Sequence, residues 1–227
     1  MNRGVYMAWG LGVLLALIVS SPAYSQNRNQ VFVGARPMGM GETFVGIADD
    51  ANTLYWNPAG LPQLQRQELT FMYTDLYGLG LRNMYGAYVY PVTDNSAIGV
   101  DVFQTSLDDN ELQFGQLKFN LGFGYRWRRV LSFGATFKYV NSNIGQDNTT
   151  ADNAGGIGFD TGLIYAPVSR LRFGLMVQDV SNTSIKHDSG VSETIFRRNI
   201  RGGVSFRPFE SLLVAADVSD RIHFGSE

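Results

Sequence analysis

The stretch Gln116–Trp127, QLKFNLGFGYRW, alternates without interruption. Leu117, Phe119, Leu121, Phe123, Tyr125 and Trp127 share one parity, and Lys118, Asn120, Gly122, Gly124 and Arg126 share the other. A period of two puts one set on each face of a β-strand. Leu131–Val140 repeats the pattern, with Leu131, Phe133, Ala135, Phe137 and Tyr139 opposing Ser132, Gly134, Thr136 and Lys138. So do the stretches around residues 156–165, 171–178 and 200–207. Strands are predicted near 68–74, 82–91, 97–105, 115–127, 131–142, 155–166, 171–181, 196–207 and 211–219, with a tenth beginning near Ile222. Short connections (PVTDNS, RR, VSR, PFES) alternate with longer polar ones near 106–114, 143–154 and 182–195.

Two all-β architectures alternate in this way. A soluble sandwich buries its apolar face inside; a membrane barrel turns it toward lipid. The barrel is favoured on three counts. A strand of about eleven residues at ~3.3 Å per residue, tilted ~40°, climbs roughly 28 Å, matching a ~25 Å apolar band. Aromatic residues gather at the short-turn ends: Tyr88, Tyr90, Tyr125, Trp127, Tyr165, Phe206 and Phe209, where an interfacial girdle belongs. Short and long connections alternate, as the turns and loops of a barrel do. The mean hydropathy of -0.07 excludes a bundle of membrane helices and suits an alternating barrel.

Residues 1–25 read as an export signal. Arg3 precedes an uncharged apolar run from Val5 to Val19, and Ala23 and Ser25 stand at small-residue positions, so cleavage is predicted after Ser25. Its removal takes away Arg3 and no acid, so 18 basic residues become 17 against 20 acidic ones. No basic field marks a nucleic-acid partner. The absence of Cys excludes a disulfide framework, a thiol nucleophile and a lipidated cysteine.

The inner parity carries Asp101, Lys118, Arg126, Lys138, Asp160, Arg172, Arg201, Arg207 and Asp217, candidates to line a lumen. With both signs present and no cluster, the expectation is a charge lattice that holds the wall rather than a selectivity filter. His187 and His223 lack a second ligand at metal spacing. DNTTADN at 147–153 reads as a polar loop rather than a Ca²⁺ site, and GGIG at 155–158 lacks the Lys-Ser/Thr of a phosphate loop. No nucleophile elbow is present. No metal, no cofactor and no enzymatic activity are expected.

One segment does not alternate: GARPMGMGETFVGIADDANTLYWNPAGL, Gly34–Leu61. It falls within residues 26–66, ahead of the barrel predicted for 67–227. Asp49 and Asp50 are placed to start a short helix near its N-terminal dipole. Asn57 precedes Pro58, which ends that helix, and Asn57-Pro58-Ala59-Gly60 reads as a tight turn. Gly34, Gly39, Gly41 and Gly46 are expected to let the backbone pack closely inside a lumen. Such a segment suits a plug, or hatch, for the barrel.

These residues also resemble the N-terminal segment of the FadL-type outer-membrane transporters for long-chain fatty acids and other hydrophobic compounds, and more closely that of the PorV/PorQ-type branch. The shared elements are the Gly-rich lead, Ala48–Ala51, and Asn57-Pro58-Ala59. The resemblance implies a 14-stranded monomeric barrel in outer-membrane lipid, plugged by a hatch whose gating residues are Asp49, Asp50, Asn57, Pro58, Ala59 and Gly60. It implies that about four strands are absent from this sequence, in keeping with its stop a few residues into a strand. FadL-type members pass apolar ligands by a hatch shift and a lateral opening in the wall. PorV-type members serve a protein secretion system, so the partner is either a hydrophobic small molecule or a secretion protein.

Overall fold

The computed structural model describes residues 33–220, apart from 77, 79, 109–112, 147–148, 188–191 and 197. The export signal and the tenth strand near Ile222 lie outside the described residues. The chain is all-β apart from its N-terminal segment, and its strands form one antiparallel sheet. Nine strands follow the main path: β1 (Glu68–Leu76), β2 (Leu81–Thr93), β3 (Ser96–Asp108), β4 (Gln113–Trp127), β5 (Leu131–Gln146), β6 (Thr149–Val168), β7 (Leu171–Gln178), β10 (Asn199–Phe209) and β11 (Leu212–Asp220). Neighbours in space are neighbours in sequence except where β7 pairs with β10. Between those two lies a hairpin, β8 (Thr183–His187) and β9 (Ser192–Phe196), in which β8 pairs with both β6 and β9.

All nine strands read from the alternation are present. The predicted long loops are not. Residues 143–154 continue the β5–β6 ladder from Asn141↔Gly155 to Gln146↔Thr149 across one register shift. Residues 182–195 contain the β8–β9 hairpin. β3 and β4 likewise extend to Asp108 and from Gln113. Asn, Asp, Ser and Thr mark these stretches as polar, but polarity does not stop a ladder that gives each backbone group a partner. At the opposite end the turns are short. The ladder shifts register beside Pro91, Pro167 and Pro208, because proline donates no ladder hydrogen bond.

The two faces differ as the alternation requires. Leu117, Phe119, Leu121, Phe123, Tyr125 and Trp127 of β4 are all 40–51% exposed. Asn120, Gly122 and Gly124 between them are buried. The same holds for Phe133, Phe137 and Tyr139 against Gly134, Thr136 and Val140 on β5. The apolar face is thus continuous on the outside of the sheet. The interior is filled by the N-terminal segment, which packs with the strands as one compact unit.

That packing rests on glycines of the wall. A methyl group on Gly134 of β5 would strike the Pro58–Ala59 peptide. On Gly124 of β4 it would meet Pro62 Cδ at 2.6 Å, and on Gly99 of β3 Leu54 Cδ1 at 2.7 Å. On Gly174 of β7 it would strike the Val45 carbonyl. The inner face is thus bare where the N-terminal segment lies against it. We predict that Gly134→Ala destabilises the folded barrel by about 1–3 kcal/mol through overpacking. Gly86→Ala, whose new methyl lies 3.8 Å from the Phe71 ring, should stay within about 0.5 kcal/mol. Thermal unfolding in detergent, read by loss of heat-modifiable gel mobility, separates the two.

Candidate functional site

The N-terminal segment is built from short pieces. Helix α1 (Ala35–Gly39) follows Gly34, whose φ of +87° falls in the region only glycine enters easily. Helix α2 (Thr53–Trp56) is a single turn. Asn57 is extended, as a residue before proline must be, and Pro58–Gln63 form a 3-10 helix. The tight turn expected at Asn57–Gly60 is therefore the start of a longer coil: its Gly60 N–H to Asn57 carbonyl bond of 2.9 Å recurs as Leu64 N–H to Leu61 carbonyl at 3.2 Å. Proline at positions 58 and 62 needs no hydrogen-bond acceptor, and this favours continuation of the coil.

Asn57 is fully buried and ties three layers together. Its side-chain oxygen accepts from the Ala59 N–H at 3.1 Å. Its amide donates to the Val45 carbonyl at 2.9 Å, and more weakly to the wall carbonyls of Leu163 and Leu175 at 3.4 and 3.5 Å. A side chain at Gly162 would occupy the place of its oxygen. Ala59 lies in a small core with Ala48 and Ile164. Gly60 packs directly on the Ala48 carbonyl.

Asp49 and Asp50 do not cap a helix. Both pair with Arg36 of α1, at 2.6 and 2.9 Å. Asp50 also accepts from the N–H and side-chain amide of Asn52, each at 2.9 Å. The preference of these carboxylates for an arginine fork over a weak one-turn dipole follows from their relative strengths. Partial burial lowers the Arg36 pKa, but hydrogen bonds and charge from both aspartates outweigh it and leave it raised. Of the four glycines expected to pack closely, Gly46 lies 3.1 Å from the Gly203 backbone and Gly34 packs on the Asn52 side chain, measured from where a Cβ would stand. Gly39 and Gly41 face open space.

The charged candidates of the inner face divide by height. Asp217 of β11 accepts from the Phe44 and Val45 N–H groups at 2.7 and 2.9 Å. Arg172 of β7 donates to the Ile47 carbonyl at 3.4 Å. The Arg201 guanidinium lies over the Trp56 ring at 5.2 Å. These three hold the N-terminal segment. Higher on the wall, Lys138 is buried between Asp160 and Asp179, at 2.8 Å to each. Asp101 accepts from the Asn120 amide at 2.7 Å. Lys118 stacks between the rings of Phe103 and Phe196, at 5.3 and 4.2 Å. Arg126 and Arg207 lie at the short-turn mouth, Arg207 exposed.

Several residues of the site carry no sequence signal of their own. Asp179 has a left-handed φ of 51° where β7 ends. Its N–H donates to Asp160 at 2.7 Å and its carboxylate accepts from Thr183 at 2.7 Å. From there the chain turns inward over β6, where side chains on Gly156 and Gly158 would strike Ser184 and Thr183. Trp56, which donates to the Val33 carbonyl at 2.9 Å, centres a cluster with Phe44 and Ile47. Among the described residues no group of three His, Cys, Asp or Glu is placed to hold a metal.

Solved structures share this fold. The chain aligns with the CymD monoaromatic hydrocarbon channel at a TM-score of 0.63 and 17% identity, over 84% of this chain and 69% of that one. It aligns with the P. putida toluene transporter TodX at 0.58 and 16%, over 82% and 69%. A Pseudomonas aeruginosa FadL homologue matches at 0.55 and 9%, over 81% and 67%. The fold is that of a FadL-type barrel. No protein-family model matches the chain, and no curated protein matches it.

Removing Lys138 leaves two buried carboxylates facing each other. Lys138→Met should therefore cost about 3–5 kcal/mol. Asp217→Ala strands two N–H groups and should cost about 1–3 kcal/mol. Chemical denaturation followed by tryptophan emission checks both.

Proposed function

We propose that the protein is an outer-membrane barrel that passes small hydrophobic molecules passively, with residues 26–66 as its hatch. The observation that carries this reading is the pairing of a FadL-type wall with a plug attached to it through Asn57. The named neighbours support it: two are a hydrocarbon channel and a toluene transporter. An outward apolar face supports residence in lipid as a monomeric barrel. Residues 1–25 would serve as the cleaved export signal. The alternative role, docking of secreted proteins, draws no support from these neighbours.

In this reading the straight path through the lumen is shut, and a solute passes when the hatch shifts. Asn57, Pro58, Ala59 and Gly60 form its joint with β5 and β6. Asp49 and Asp50 keep α1 folded against it. Chemistry on the solute is not part of the proposal, and no enzymatic step is assigned.

The test is influx of toluene into liposomes holding the purified protein. The wild type should raise influx above that of empty liposomes. Asn57→Ala should change the rate several-fold while heat-modifiable mobility is retained. Influx equal to that of empty liposomes for both proteins overturns the transport reading. Wild-type influx that the variant leaves unchanged removes Asn57 from gating.

A further inference from the structure

The mouth formed by the short turns holds a cavity of about 830 Å³ that the transport reading does not use. Its lining includes Leu64 at the end of the 3-10 helix, Asp94 and Asn95 of the β2–β3 turn, and Arg126, Arg128 and Arg129 at the β4–β5 turn. Three arginines thus line it beside one aspartate. The nearby turns add no compensating excess of acid, with Arg66, Arg170 and Arg207 beside Glu68 and Glu210.

The arginines are held in a way that sterics alone disfavours. Val130 N–H donates to the Trp127 carbonyl at 3.3 Å, closing a two-residue turn. Arg128 and Arg129 occupy its centre at φ of 50° and 59°. Two consecutive left-handed residues make the primed hairpin turn for which Asn-Gly is preferred. Long side chains there are uncommon, and such backbone outliers point to function rather than to folding. The Arg128 guanidinium lies 4.8 Å from the Trp127 ring centroid. Arg126 donates through Nη2 to the Asp94 carbonyl at 2.6 Å. That bond fixes the side chain at the edge of the cavity. A cavity lined by three arginines, one of them held in place, suits the forked geometry by which arginine takes an oxyanion.

The geometry points to a phosphate-type oxyanion site at this mouth, formed by Arg126, Arg128 and Arg129. The same chemistry is offered by soluble phosphate and by the headgroup of an anionic phospholipid, which the stacking of Arg128 on the outward Trp127 places within reach. The site does not depend on what the lumen carries.

The experiment uses the full chain in an uncharged detergent. Inorganic phosphate is titrated calorimetrically at constant ionic strength, with chloride as control. In parallel, nanodiscs of phosphatidylcholine with and without phosphatidylglycerol are compared by native mass spectrometry for retained lipid. Saturable binding of phosphate, or selective retention of phosphatidylglycerol, is expected, and which of them occurs identifies the source. Arg126→Gln with Arg129→Gln should weaken it at least about tenfold. Arg128→Asn with Arg129→Gly restores the favoured turn residues, so it should abolish binding while thermal stability is kept or raised. The proposal is overturned if neither form binds. It is also overturned if binding survives both double variants.

Discussion

The structure depends on backbone meeting backbone inside the barrel. A non-strand segment can fill a lumen only if its polar groups find partners and the wall gives it room. Seven wall strands contribute to this. Gly99, Gly122, Gly134, Gly162, Gly174 and Gly203 leave the inner face bare where residues 45–61 lie against it, and Asp217 receives two of the segment's N–H groups. Glycine weakens a strand by roughly 0.5–1 kcal/mol relative to alanine. Its repeated use on one parity is therefore explained by the contact it permits and not by the strand it forms.

Beyond the N-terminal segment the same inner parity turns polar. Lys138 neutralises Asp160 and Asp179, and Asp179 in turn bends the chain across β6. Burying one lysine between two carboxylates is unfavourable unless all three stay together, since breaking such a group costs about 3–5 kcal/mol. The arrangement fixes where β7 stops and where the β8–β9 hairpin begins. Inward crossing at this point is possible because Gly156 and Gly158 again leave room.

Period-two alternation made the wall legible: each of the nine strands it placed within the described residues exists, and exposed aromatic residues lie at the short-turn ends. It failed at 143–154 and 182–195, where polar residues were read as loops although the ladders continue. Composition reports exposure, and exposure does not decide pairing. In the N-terminal segment the Asn57-Pro58 boundary was readable because proline restricts its predecessor locally. The Arg36 pairing of Asp49 and Asp50 was not, since it joins residues 13 and 14 positions apart. Nor was the division of glycines. Those of the segment itself drew attention as an unusual run, whereas most of the close contacts fall on wall glycines, where the alternation already accounted for a small residue.

The two obstructions in the lumen differ in how they are held. The inward turn at Asp179 is tied by two ion pairs and by hydrogen bonds to Asp160 and Thr183. In the N-terminal segment Trp56, Phe44 and Ile47 pack on one another and on Leu213 and Ala215 of β11, and Trp56 bonds within the segment to Val33. Its polar ties to the wall are hydrogen bonds from the Phe44 and Val45 N–H groups to Asp217, from the Ser205 hydroxyl to the Gly46 carbonyl, from Arg172 to the Ile47 carbonyl, and from the Asn57 amide to the Leu163 and Leu175 carbonyls. Each such bond contributes a net ~0.5–1.5 kcal/mol, somewhat more where a charge takes part. The segment therefore rests on many weak contacts with the wall, apolar and polar, where the turn rests on a few strong ones.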